Sequence, residues 1–509
     1  MNEHEKALPS EGTAKPAQNP APVREVDAKY RRLLLPVLCF CLLTAHTALW
    51  RSPFPSAGLT AAVFAWYALY YLWNGPASLA RRSNRVLLLA NLFLALTMAL
   101  SSNWYFRYWN LLALLVLLPV HALSGTASLP WSNPLMLWER CLLCLYGLLG
   151  NLWASFAAAT PAGRPRDGKR TFALTAGALG AVALVALLLP VLASADALFA
   201  AATASLRSFA AGHFTVTLWN LFWGLALTPF IFSFLYSLDY PKPLRKGAEK
   251  PPIHTDGAAF LLVLGALAAL YLLFLAVQSA GLFGGPAYLA KHGISYAEWA
   301  RSGFFQMVGV TAVNLTVILG ALTLSRPSGR SWTAVRGMSA VLVAESLVLL
   351  ASAAWRMSLY VGTYGLSFKR CMTYWGMGMM ALFFLTALWK IRRPGFGFCR
   401  AAFPIALAGW IFINCVPVDF LVARDQVDRY LNHESPVVSV HYLLYSLSFD
   451  TLSQLDRLDG TKPASAYEGD WWSKDERLCD IIARRRETAR SVCTDWRTWS
   501  LSACLASTP

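Results

Sequence analysis

Apolar runs recur along almost the whole of this chain, and they constrain its fold more than any motif does. The stretch from Tyr271 to Phe305 is the clearest: YLLFLAVQSAGLFGG ends one apolar run in glycines, and GISYAEWARSGFF opens the next behind a polar, charged cap. Eleven such runs lie between Leu33 and Val416, most of them near the ~20 residues a helix needs to cross ~30 Å of hydrocarbon. With 56% hydrophobic and 14% charged residues among 509, the chain has too little charge for a soluble globular protein. Backbone polar groups inside a bilayer must be satisfied within the protein, so runs of this length form helices. The expected fold is all-α: a polytopic transmembrane helix bundle of about 11 spans with a small helical extramembrane domain at its C-terminal end.

The distribution of charge orients that bundle. The chain carries +17, and residues 419–509 carry a balance of −3, so residues 1–418 hold +20. The basic residues gather in alternate loops, at Arg81, Arg82 and Arg85, at Arg164 to Arg170, at Lys242 to Lys250, at Arg326 to Arg336 and at Lys390 to Arg400. By the positive-inside rule these loops are cytoplasmic. The N-terminus is then cytoplasmic and the C-terminal domain extracytoplasmic. The loop from Arg356 to Arg370 breaks the pattern, with Arg356, Lys369 and Arg370 on the outer side. The scheme also requires the apolar segment 134–158, which carries Glu139 and Arg140, not to cross, as in a re-entrant or interfacial helix. Read instead as an ordinary span, that segment puts the C-terminal domain in the cytoplasm.

The chain divides accordingly. Residues 1–30 form a polar tail rich in Pro, Ala and Glu that is expected to be disordered and cytoplasmic. An N-terminal transmembrane region covers 31–170, a transmembrane core 171–418 and the helical domain 419–509. Helices are expected there at Asp419 to Asn432, Val438 to Leu458, Trp472 to Ala489 and Asp495 to Ala506. A net acidic domain of this kind excludes nucleic acid. It fits contact with the bilayer or with an envelope or membrane protein partner.

Candidate chemistry is sparse. Glu345, inside RGMSAVLVAESLVLLASAAWR, is the main oddity, because a carboxyl at mid-bilayer costs about 2.5–3.5 kcal/mol unless protonated, paired or wetted. At 100° per residue Ser352 and Arg356 share its helix face, giving a candidate intramembrane polar seam of Glu345, Ser352 and Arg356. It reads as an ion or proton path, or as a buried hydrogen bond that fixes packing. Tyr296, Glu298 and Arg301 form a second candidate, an outer-face polar cluster. Within it SYAE is also a capping box, in which Ser295 caps the helix and Glu298 reaches back. Cys141 and Cys144 read as core packing. Cys479 and Cys493 are a candidate disulfide if the domain lies outside the cytoplasm, leaving Cys504 free. The run Arg484, Arg485 and Arg486 reads as a solvated helix face. No spacing here matches a metal site, a cofactor fingerprint or a catalytic constellation, so no cofactor is expected. The expected function is that of a non-enzymatic membrane scaffold or signalling accessory; the alternative is a transporter or channel using the Glu345 seam, and a third reading is a membrane-embedded transferase for lipid-linked substrates.

Several longer segments carry a family likeness. LLPVLASADALF, LLFLAVQSAGLFGG with ISYAEWARSGFFQM, LLASAAWRMSLYVGTYGLSFKR, PVDFLVARDQVDRY, VHYLLYSLSFDTLSQL and DWRTWSLS follow one another in consistent order between residues 170 and 509. Together they resemble a family of bacterial multi-pass membrane proteins known as domains of unknown function DUF4153 and DUF4173. The family's usual ARYN-like tetrapeptide stands here as Ala423, Arg424, Asp425 and Gln426. The resemblance implies a helical architecture and a place in a bacterial cytoplasmic (inner) membrane. It brings no catalytic or ligand residue with it.

Overall fold

The computed structural model describes residues 28–49, 56–126, 136–159, 215–239, 257–291, 304–468 and 476–508, with scattered helical positions between 173 and 192. Side chains of 125–139 and 278–308 fall outside that description. The expected tail, residues 1–27, and the cluster of Tyr296, Glu298 and Arg301 also lie outside the described residues.

The described chain is helical, with no strand among its elements. Its helices are α1 (Ala28–Ala48), α2 (Ala57–Asn74), α3 (Arg82–Leu100), α4 (Trp104–Thr126), α5 (Met136–Gly150), α6 (Leu152–Ala159), α7 (Thr215–Asp239), α8 (Gly257–Lys291), α9 (Phe304–Leu324), α10 (Gly329–Tyr364), α11 (Phe368–Arg392), α12 (Phe398–Cys415) and α13 (Val418–Leu431). Four further helices complete the terminal domain: α14 (Leu452–Leu455), α15 (Ser465–Glu468), α16 (Leu478–Thr494) and α17 (Leu501–Ser507). Nine stretches among the described residues are long and apolar enough to cross a membrane. They include Arg140–Ala159, which the charge pattern expected not to cross, and they exclude α2, rich in Trp and Tyr.

Three apolar cores form among the described residues. One joins α1 to α7 around Leu33, Leu94, Met98 and Phe232. A second joins α8 to α12 around Leu264, Ile318, Leu342 and Phe384. The third fills the terminal domain and takes in Phe106 of α4 and Ile413 of α12. Between the two membrane halves runs a polar stitch. The Trp410 indole donates to Asn110 Oδ1 at 2.7 Å, and Asn110 Nδ2 donates to Asn414 Oδ1 at 2.7 Å and to Thr97 Oγ1 at 2.9 Å.

α1 and α7 run antiparallel. Lys29 pairs with Asp239 at 2.9 Å at one end, and the Trp219 indole donates to Leu49 O at 3.4 Å at the other. Gly224 permits this approach, because a Cβ there would run into the Leu42 side chain. The Asp239 end defines one face of the bundle. Lys29 stacks over Trp73 at 4.9 Å there, Arg81 donates to Ser124 O at 3.0 Å, and Arg336 donates to Ile391 O at 2.9 Å.

The opposite face carries the terminal domain, which grips three loops. Arg497 O accepts from Ser56 N and Gly58 N, both at 2.9 Å. Ser102 Oγ accepts from Phe449 N at 3.1 Å, and Asn103 Nδ2 donates to Asp419 Oδ2 at 2.7 Å. Asp425 Oδ2 accepts from Leu366 N at 2.6 Å, while Gln426 donates to Leu366 O at 3.0 Å. The last carbonyls of α10 are capped by two arginines, Arg429 on Gly362 O at 2.9 Å and Arg370 on Tyr364 O at 3.0 Å. A cation at a helix C-terminus satisfies orphan carbonyls and opposes the dipole. This accounts for Arg370, one of the three basic residues in a loop where the charge pattern wanted none.

The terminal domain departs from its expected outline. The expected helix from Val438 to Leu458 is broken into a π-helical turn at Tyr442–Ser446, a 3-10 turn at Phe449–Thr451 and the short α14. Its backbone cannot continue because Ser448 N donates to Asp419 Oδ2 at 2.9 Å instead of closing a helical turn, and Thr451 Oγ1 reaches back to Leu443 O at 2.8 Å. Among the described residues the Trp472–Ala489 helix begins only at Leu478 and runs to Thr494.

Candidate functional site

The mid-bilayer polar residues come together where α8, α9 and α10 meet. With 36 residues α10 is about 54 Å long at ~1.5 Å per residue, so it overshoots the hydrocarbon on both sides and holds Glu345 near its middle. Glu345 is 6% exposed, and neither carboxyl oxygen has a hydrogen-bond partner among the described residues. Beside it runs a complete hydrogen-bond chain. The Tyr271 hydroxyl donates to Asn314 Oδ1 at 2.6 Å, Asn314 Nδ2 donates to Ser346 Oγ at 2.9 Å, and Ser346 Oγ donates to Leu342 O at 2.7 Å. Tyr271 and Glu345 are electrostatic neighbours.

Of the expected seam, Glu345 and Arg356 are both buried and Ser352 is half-buried. Ser339, also on α10, adds a buried hydroxyl with no partner among the described residues. Tyr271 and Asn314 are uncharged and do not stand out in an apolar run as Glu345 does. Asn314 left a usable signal, a lone amide inside VTAVNLTVILG. A satisfied chain beside an unsatisfied carboxyl is an arrangement able to exchange a proton or hold a small polar guest.

A second polar network sits where the terminal domain meets α3 and α4. Asn103 caps α4 by accepting from Phe106 N at 3.0 Å, and its amide nitrogen holds Asp419. Burial pushes the Asp419 carboxyl above its ordinary range, against hydrogen bonds from Ser448 and Asn103 that favour the charge. Ser448 Oγ and Ser502 Oγ both donate to Asp450, whose charge faces Arg107. The network is constructional, since its bonds join this chain's own elements.

The domain's cysteines correct one expectation. Cys493 on α16 is bonded to Cys504 on α17, with Cα atoms 5.9 Å apart, and Cys479 is free and exposed. Antiparallel packing of these two helices across a short turn brings Cys493 and Cys504 face to face, while Cys479 lies at the far end of α16 beside Gly460. The triple arginine is also engaged rather than simply solvated. Arg484 pairs with Glu476, Arg486 with Asp456, and Arg485 lies over the Phe449 ring at 4.5 Å. Among the described residues no three His, Cys, Asp or Glu side chains converge as a metal site would require.

Stacked apolar helices with a polar stitch and one face capped by the terminal domain define an integral, multi-pass α-helical membrane protein. The chain belongs to the DUF4153 family, a domain of unknown function whose model matches residues 88–458. The match starts inside α3, earlier than the motifs it was read from, and stops before the terminal DWRTWSLS segment. No curated protein and no solved structure matches the chain.

Proposed function

We propose that the α8–α11 half binds a proton or a small polar solute at Glu345 and that the protein works as a transporter or channel. One observation carries this reading: a buried, mid-helix carboxyl whose two oxygens have no partner among the described residues. A carboxyl kept only for packing would accept or donate a hydrogen bond, and the adjacent Tyr271–Asn314–Ser346 chain is closed without it. An intramembrane carboxyl with no partner among the described residues is suited to take a proton or a small polar guest. The scaffold reading has less support, because Asp419, Asp425 and Gln426 of the terminal domain are engaged by loops of the bundle. The transferase reading depends on Tyr296, Glu298 and Arg301, outside the described residues.

The proposed orientation keeps the N-terminus cytoplasmic and residues 419–509 extracytoplasmic in a bacterial cytoplasmic membrane. The Cys493–Cys504 disulfide supports it, since such bonds persist in oxidising compartments, and so do the basic residues of the opposite face. For 134–158 we retain the re-entrant reading. The helix breaks at Asn151, and Gly147, Asn151 and Trp153 all meet the stretch Ser233 to Ser237 of α7. A straight span would move along α7 instead of returning to it.

Proteoliposomes carrying the full chain and a pH-sensitive dye test the function. Proton flux, alone or with an added solute, should be lost in Glu345→Gln and kept in Glu298→Gln. Equal flux through wild type and Glu345→Gln across ion and solute panels would sink the reading.

A further inference from the structure

A groove of about 910 Å³ runs between α11 and α12. Met379 and Leu382 form one wall and Ala408 and Phe412 the other, while Val418 and Leu421 of α13 close its outer end. The polar atoms within reach are already engaged. The Tyr374 hydroxyl donates to Ser358 Oγ at 2.9 Å, and the Trp375 indole donates to Gly409 O at 2.8 Å. Gly378 opens the space, and Gly409 lets Met379 pack close along the opposite helix. At Gly409 the Met379 side chain lies where a Cβ would be, and at Gly378 a Cβ would meet nothing within 4 Å.

Both helices are long and apolar enough to cross a membrane, so the groove faces hydrocarbon. Water has no partner there, and apolar cavities stay dry. Arg424 stands one turn beyond Leu421 on α13, its side chain 61% exposed and 3.5 Å from Asp428. A basic side chain at the edge of the apolar zone is placed to meet a lipid phosphate.

We propose that this groove binds one phospholipid, with a hydrocarbon chain against Gly378 and its phosphate at Arg424. The volume falls within the ~300–1,000 Å³ of small-molecule sites. A partner's spanning helix fits poorly, because the first turn of α13 roofs the outer end and a rigid rod would have to pass through it. A flexible chain bends around that roof to its headgroup.

The test uses the full chain, purified in mild detergent after exposure to phosphatidylglycerol vesicles, with retained lipid counted by native mass spectrometry. Wild type should retain phospholipid at about one per chain, and Gly378→Phe, which fills the open position, should retain roughly tenfold less with an unchanged unfolding temperature. Arg424→Gln should weaken retention roughly fivefold. Ala408→Phe repeats the test from the other wall if Gly378→Phe misfolds. Full retention in the filled variants overturns the site. Unchanged retention in Arg424→Gln overturns the phosphate assignment, and a Gly378→Cys crosslink to a second polypeptide shows a helix-docking face instead.

Discussion

Asn103 and Asp419, 316 residues apart, meet through a 2.7 Å hydrogen bond that fastens the terminal domain to the start of α4. The same Asp419 oxygen takes the Ser448 amide, so one carboxylate both anchors the domain and breaks its second helix. Its folded pKa is raised by burial, from an ordinary 3.8. A carboxyl shifted that way stabilises the docked state below its unfolded pKa, and the contribution is lost as pH rises through the docked value. The expected outcome is a thermal midpoint that falls as pH rises above the ordinary carboxylate range more steeply in wild type than in Asp419→Asn. Parallel pH profiles for the two proteins would remove Asp419 from the account.

Helix approach in the first half rests on Gly224. Gly224→Ala sets a methyl group against Leu42 and should cost about 1–3 kcal/mol, as overpacked cores do. Gly265→Ala meets nothing within 4 Å and should be neutral, or stabilising by up to ~1 kcal/mol. Thermal unfolding of the pair in one detergent checks the contrast, and equal losses would contradict it.

Cysteine connectivity is directly measurable. Alkylation without reduction should modify Cys479 and spare Cys493 and Cys504. Cys493→Ser removes a crosslink between positions 11 apart in sequence and should cost the domain roughly 2–3 kcal/mol. A peptide joining Cys479 to Cys493 on mass mapping would reverse the assignment.

The path of α5 and α6 has a parity consequence. α4 ends on the face of Arg81, whereas α7 begins on the face of Leu49, so an odd number of crossings separates them. If Phe172 to Leu192 supplies that crossing, α5 and α6 supply none. Single cysteines replacing Ser132 and Pro161 in a cysteine-free background should label from the same side of the membrane. Labelling from opposite sides would make the segment a span.

Much of the fold was legible because bilayer thickness and backbone satisfaction leave few choices for long apolar runs. The break at Ser448 was not legible, since it depends on a carboxyl 29 residues away. Cys493 paired with Cys504 for a similar reason: the turn between α16 and α17 decides which sulfurs meet, and spacing alone did not specify it. Glu345 stood out because a charge in an apolar run is costly, whereas Tyr271 and Asn314 gained significance only when three helices placed them together. Arg370 broke the charge pattern in sequence and proved to be a helix cap.

Infrared difference spectroscopy on the lipid-reconstituted protein tests most directly whether Glu345 exchanges a proton. A pH step should give a protonated-carboxyl band that is absent in Glu345→Gln and perturbed in Asn314→Ala, which opens the neighbouring chain. The same band with or without Glu345, or none at any pH, would contradict the account and return Glu345 to a packing role.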